Sequence, residues 1–237
     1  METRLMKINL GLFQQDEQCM HELVASALKK LGFCTRPLTR SMLASTERLL
    51  FDVLIFPGGW YFFKDEERRS IRRFVRSGGG YIGICCGAIN ACKLGLLPAT
   101  LIEMCGSGPH PIEPVVGEHP ILLGVARKST KPWRRYDPFI MVRHNGWPMK
   151  LRKGAQMIAA YDLRHQWAAI AAARFGKGRV VAISPHPEGV QFQRGDFHDR
   201  KKCRLNYDGI KMGTAPILAN AVRYLCRTYS SHRNKAR

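Results

Sequence analysis

Apolar and polar positions alternate between two periods along the first hundred residues. Residues 7–13, Lys-Ile-Asn-Leu-Gly-Leu-Phe, read as a strand, and residues 22–31 carry apolar side chains at helical spacing up to Gly32. The run 51–56, Phe-Asp-Val-Leu-Ile-Phe, predicts a buried strand that stops at Pro57-Gly58-Gly59. A helix is expected over 65–77, with Ile71, Phe74 and Val75 on one face. Its charge order suits the helix dipole, since Glu66 and Glu67 lie in the first turn and Arg72, Arg73 and Arg76 in the last, before Gly78-Gly79-Gly80. Residues 81–84 are a short buried strand running into Cys85-Cys86-Gly87, with a helix expected over 88–96. Strand and helix in alternation predict an α/β fold, a mostly parallel sheet with helices on both faces.

Between Pro98 and Pro148 the period is weak, and short strands and loops near the sheet edge are expected, with no function assigned to them. Residues 156–161, 168–175 and 179–183 then read as strands, the last two joined by Gly176-Lys177-Gly178 as a tight hairpin, which adds a small antiparallel extension. A final helix over about 214–228 docks through Ile217, Leu218, Ala221, Val222 and Leu225, and the basic end 230–237 is expected to fray. No repeat or linker divides the chain, so one domain over 1–237 is expected, with an ordered core of about 6–226.

Composition narrows the classes of function without choosing one. The 237 residues are 45% hydrophobic and 24% charged, which excludes a disordered or fibrous chain. Thirty-eight Lys and Arg against eighteen Asp and Glu give a net charge of +20, which favours anionic partners. Recognition-helix, RNP and zinc-finger patterns do not accompany the basic clusters at Arg68-Arg69, Arg72-Arg73, Arg76, Arg134-Arg135 and Arg200-Lys201-Lys202, so no specific nucleic-acid binding is expected. The first of these reads as the solvated face and carboxyl end of a helix. Apolar runs fall far short of the roughly 18 residues that cross a bilayer, and the amino terminus lacks the apolar core of a signal peptide, so no membrane partner and a cytoplasmic location are expected. The eight cysteines (19, 34, 85, 86, 92, 105, 203 and 226) are then expected to be reduced.

The sharpest chemical signal is Gly83-Ile84-Cys85-Cys86-Gly87 between a buried strand and a helix. It is the thiol counterpart of a nucleophile elbow, in which small flanking residues permit a strained turn that lifts one side chain above the sheet edge. A helix amino terminus behind Cys85 favours the thiolate, the reactive form. The plainer alternative is that Cys85 and Cys86 are small buried hydrophobes. A thiolate catalyst needs an imidazole, and the imidazole needs a partner to orient it. The strand 180–183 ends at Ser184-Pro185-His186-Pro187-Glu188, where His186 and Glu188, two residues apart, face one side. The other seven histidines have no such setting and read as surface or loop residues. Backbone amides for an oxyanion are offered by Gly59, in the turn Pro57-Gly58-Gly59, and by Cys86. Cys85, Cys86, Cys92 and Cys105 with His110 contain no C-x-x-C pair, so no metal is expected.

Three motifs in this order, Phe56-Pro57-Gly58-Gly59, Gly83-Ile84-Cys85-Cys86-Gly87 and Ser184-Pro185-His186-Pro187-Glu188, resemble the class I glutamine amidotransferase-like superfamily. Within it, Ala88 after the elbow, His119-Pro-Ile-Leu-Leu-Gly124, His144-Asn-Gly-Trp-Pro148 and Phe175-Gly-Lys-Gly-Arg-Val-Val181 are similar to the biotin-protein ligase amino-terminal-domain type, over about residues 6–226. The resemblance implies a flavodoxin-like fold and a catalytic triad of Cys85, His186 and Glu188. Gly58, Gly59, Cys86 and Asn145 are the expected oxyanion and substrate-binding residues, and no cofactor is expected.

Two differences from the family qualify the chemistry. Ile89 stands where the glutamine-hydrolysing branch has Gln, which argues against glutamine as substrate, and Cys86 stands where the protease and deglycase branch has His. The reading is a cysteine-nucleophile hydrolase or amidotransferase-like protein acting on a small amide or acyl compound. As an amidotransferase it would need a separate synthase or ligase chain as partner. The alternative is a non-catalytic small-molecule-binding or regulatory module of the same fold, and the oligomeric state is left open.

Overall fold

The computed structural model describes residues 8–14, 20–191 and 206–233. Cys19, Cys203, His198, the cluster 200–202, residues 234–237 and the side chain of His232 lie outside the described set. The first half contains β1 (Leu10–Phe13), α1 (His21–Lys30), β2 (Thr35–Leu38), α2 (Arg40–Ala44), β3 (Val53–Phe56), α3 (Asp65–Arg76), β4 (Gly80–Ile84) and α4 (Cys86–Lys93). Then come β5 (Ala99–Leu101), β6 (Ser107–Pro114), β7 (Arg127–Lys128), β8 (Tyr136–Asp137), β9 (Phe139–His144), β10 (Met149–Leu151), β11 (Ala155–Asp162) and β12 (Trp167–Phe175). The chain continues through β13 (Gly178–Ile183), β14 (Gly189–Gln191), β15 (Asn206–Asp208) and α5 (Pro216–Arg233).

The mixed sheet has a parallel centre in the order β2-β1-β3-β4-β13. Beyond β13 the order β12-β11-β6-β9 is antiparallel, with β10 and β5 alongside. This antiparallel part takes in more strands than the hydrophobic pattern reveals, because the weakly periodic stretch 98–148 supplies β5, β6 and β9. Alternation of side chains gives the centre two apolar faces. Leu12, Ile55, Ile82 and Val181 pack with Val24 and Leu28 of α1 and with Ile217, Leu218 and Val222 of α5. On the other face Leu54, Phe56, Tyr81 and Val180 pack with Ile71 and Val75 of α3 and Ala88 and Ala91 of α4. Helices therefore cover both faces. Each such fully buried aliphatic side chain contributes roughly 1.5–3 kcal/mol.

The expected elements recur with shifted ends, and others, β2 and α2 among them, were not foreseen. The strand β2 reads Thr-Arg-Pro-Leu with only Leu38 buried, and it pairs only with β1, an edge position where Pro37 loses no ladder hydrogen bond. The five-residue α2 is capped by Thr39, whose hydroxyl accepts from Met42 N at 3.3 Å. In α3 the Glu67 side chain accepts from Lys64 N at 2.8 Å and holds Arg40 through both carboxylate oxygens, at 2.9 and 2.8 Å. The helix after the elbow begins at Cys86 instead of 88, because the Cys85 carbonyl already accepts from Ala88 N and Ile89 N, at 2.9 and 3.1 Å. The last helix begins at Pro216, a residue suited to the first helical turn, and runs to Arg233, into the stretch expected to fray.

Candidate active site

Cys85 sits at the sharp turn between β4 and α4, with φ 52° and ψ −108°, a backbone conformation that costs a non-glycine residue of order 1–3 kcal/mol. Its neighbours explain how the turn is tolerated. A Cβ on Gly83 would meet the Gly87 carbonyl, and one on Gly87 would meet the Phe56 carbonyl, so both elbow glycines are demanded by close backbone approach. The two cysteines part company across the sheet. Cys85 belongs to the α1 and α5 side, whereas Cys86 belongs to the α3 and α4 side, where its sulfur lies 3.6 Å from the Tyr61 carbonyl and 3.5 Å from Asn90 Nδ2. As the opening residue of α4, Cys86 also has one of the amides that a helix cannot pair internally.

Parallel pairing of β13 with β4, Ile183 against Ile84, brings Ser184–Glu188 to the same carboxyl edge as Cys85, and β3 brings Pro57-Gly58-Gly59 there from the other side. The His186 and Glu188 side chains are fully buried, and Nδ1 lies 2.8 Å from Oε1. Their turn is fastened by Thr214 Oγ1 donating to Pro187 O at 2.9 Å and Gly209 N donating to Glu188 O at 3.0 Å. His186 Nε2 and Glu188 Oε2 have no hydrogen-bond partner among the described residues. Burial pushes the His186 pKa down, but the carboxylate of Glu188 and then Cys85 outweigh it and raise the pKa to about 10. Gly58 lines the same space: a Cβ there would stand 2.5 Å from His186 Cε1 and 3.5 Å from Cys85 Cβ.

The stretch that carried no functional expectation closes the site. Although β9 is last in the strand order, it returns over the carboxyl edge: Val142 O accepts from His186 N at 2.8 Å, and His144 O accepts from the Cys85 thiol at 3.3 Å. The His144 ring lies 6.5 Å from that of His186, centroid to centroid, with Nδ1 held by Ser107 Oγ at 2.6 Å. Asn145, an expected substrate-binding residue, is engaged with the neighbouring loop. At φ 52° it exchanges two hydrogen bonds with Gly106, Oδ1 accepting from Gly106 N and its own N donating to Gly106 O, both at 3.0 Å. Its side-chain oxygen therefore holds the loop 104–107. Tyr161 reaches Ser184 Oγ at 3.1 Å from the antiparallel side. In sequence His144 had only its place in a family-like segment to mark it, and Tyr161 had no signal.

Thiols outside the site differ in character. Six cysteines are described and none of them is in a disulfide; Cys34 and Cys105 are exposed, whereas burial raises the thiol pKa of Cys92 to about 12 and of Cys226 to about 11. Among the described residues no three His, Cys, Asp or Glu side chains group as metal ligands, and no helix is long and apolar enough to cross a membrane.

Residues 14–95 match the family described as biotin-protein ligase, N terminal. Curated proteins give no match to the chain. Among solved structures, PurLQS from Thermotoga maritima is 16% identical with a TM-score of 0.63, over 93% of this chain and 100% of that one. A candidate GMP synthase subunit from Thermoplasma acidophilum is 14% identical with a TM-score of 0.62, over 96% and 98%. A glutamine amidotransferase from Thermotoga maritima is 15% identical with a TM-score of 0.54, over 77% and 76%. The chain thus has the class I glutamine amidotransferase-like fold, and over residues 14–95 it is similar in sequence to the amino-terminal family of biotin-protein ligases.

Proposed function

We propose that the protein is a cysteine-nucleophile hydrolase or amidotransferase acting on a small amide or acyl compound. The observation that carries this reading is the buried His186–Glu188 pair, 2.8 Å from Nδ1 to Oε1, set against a nucleophile elbow with His186 Nε2 left open. In the mechanism, the thiol proton of Cys85 already rests on His186 Nε2, in keeping with the raised pKa of the ring, and Cys85 Sγ attacks the substrate carbonyl as the thiolate, while Glu188 holds Nδ1 and so fixes the ring. The amides of Gly59 and Cys86 receive the oxyanion. Collapse of the tetrahedral adduct expels the amine, protonated by His186, and leaves a thioester on Cys85. Water activated by the same imidazole releases the acid. Ile89, 8% exposed, stands where glutamine-hydrolysing relatives carry Gln, which favours a substrate other than glutamine. As an amidotransferase the protein would deliver ammonia to a separate synthase or ligase subunit, in the cytoplasm and as one domain.

A second reading, a non-catalytic binding module, is favoured by the Cys85 thiol donating to the His144 carbonyl at 3.3 Å. One experiment separates the two. Under the catalytic reading iodoacetamide near neutral pH alkylates Cys85 ahead of the exposed Cys34 and Cys105, and His186→Ala abolishes that preference. Labelling of Cys85 no faster than Cys34, unchanged in His186→Ala, would establish the binding module.

A further inference from the structure

Arg143 on β9 is 5% exposed, and its guanidinium is satisfied only by neutral groups. Nε donates to His110 Nε2 at 3.3 Å, Nη1 to Met104 O at 3.0 Å and Nη2 to Cys105 O at 3.3 Å. A guanidinium carries five N–H groups, so these three bonds leave two to spare, and no carboxylate pairs with Arg143 among the described residues. Burial followed by the Arg143 charge pushes the His110 pKa down, so the imidazole stays neutral and serves as an acceptor. Burying a cation without an anion costs several kcal/mol.

Fastening the loop 104–107 does not explain that cost. Neutral groups already do so, through the double hydrogen bond of Asn145 with Gly106 and the contact of Ser107 with His144. What distinguishes Arg143 is its place. The next residue along β9 gives its carbonyl to the Cys85 thiol, and the preceding one gives its carbonyl to His186 N. Tyr161 links the two regions: its ring lies 6.0 Å, centroid to centroid, from that of His110, the acceptor of Arg143 Nε, and its hydroxyl lies 3.1 Å from Ser184 Oγ, two residues before His186.

We infer that Arg143 recognises an anionic substituent, a carboxylate or phosphate, on the compound that Cys85 attacks. This rests on the catalytic reading of Cys85 and names its substrate class. An arriving anion would supply the missing countercharge and take up the spare N–H groups as charge-assisted hydrogen bonds, the geometry for which guanidinium is suited.

The test uses glutarate and inorganic phosphate as probes, separately, so that the carboxylate and phosphate alternatives are told apart. Isothermal titration into the parent and into Cys85→Ala should show saturable one-to-one binding of at least one of them, weakened by about tenfold or more in Arg143→Gln and largely kept in Arg143→Lys. In the parent the bound anion should also protect Cys85 from iodoacetamide. Iodoacetate should alkylate Cys85, relative to iodoacetamide, about tenfold faster than it does the exposed Cys34, whose ratio reports the general pull of the +20 charge. Protection and reagent preference are read on the unmodified chain, so a misfolded Arg143→Gln does not decide the matter. Absence of saturable binding and of protection by both anions would overturn the inference, even with Cys85 reactive. Arg143-dependent binding with an inert Cys85 would instead uphold the anion subsite and overturn the catalytic reading.

Discussion

His186 Nδ1 lies 2.8 Å from Glu188 Oε1, and neither side chain is accessible to solvent. The carboxylate settles which imidazole nitrogen faces the groove and stabilises the charged ring where burial alone would neutralise it. The His186 pKa is raised above its ordinary value, so the pair's contribution to stability is fully present below about pH 6.5 and fades as pH rises toward about 10. Removing the carboxylate by Glu188→Gln should lower the pKa. The parent's stability advantage over this variant, followed by chemical denaturation from pH 5 to 10, should be largest at the acid end and shrink through that window. Alkylation of Cys85 by iodoacetamide should slow by about tenfold or more at pH 7, roughly 1.4 kcal/mol in barrier. An advantage that grows with pH would refute the assignment.

Cys85 and Cys86 face opposite sides of the sheet, and their substitutions should differ accordingly. Cys86→Ala should leave the alkylation rate of Cys85 and any turnover within about tenfold of the parent, because the backbone amide remains. Cys85→Ala should remove both. Mass spectrometry of the two variants after brief labelling decides this, and the adjacent thiols should not be recovered as a mutual disulfide.

Gly58 is where the imidazole ring needs room. An alanine methyl there, 2.5 Å from His186 Cε1, should push the ring off its line to Cys85. Gly58→Ala is expected to fold, with Cys85 reactivity reduced by about tenfold or more, since small misplacements of reacting groups are costly in rate. Unchanged labelling kinetics would mean that the ring has another resting position.

Gly87 tests the elbow's architecture instead of its chemistry. Its added methyl would press on the Phe56 carbonyl, which is fixed in the centre of the sheet. Gly87→Ala should lower stability by about 1–3 kcal/mol, the usual cost of overpacking, read as a lower midpoint in urea unfolding. A stability equal to the parent's would show that the strand and helix can part without penalty.

Much of this was written locally. The strand-turn-helix order, the two elbow glycines around Cys85 and the two-residue spacing of His186 and Glu188 follow from side-chain period and short-range sterics, and the elements read at 51–56, 65–77 and 81–84 lie at 53–56, 65–76 and 80–84. The edge strand β2 escaped because only one of its four residues is buried, so it shows no period. That β13 lies beside β4, bringing His186 and Glu188 to the sheet edge that carries Cys85, was decided by the sheet, since strands far apart in sequence pair to bury β4 between two neighbours. The return of β9 over the carboxyl edge was decided in the same way, and with it the His144 carbonyl on Cys85 and the buried Arg143. A residue such as Arg143 reads as a surface cation in the linear sequence, because burial and the lack of a countercharge are properties of what packs around it and not of its immediate neighbours.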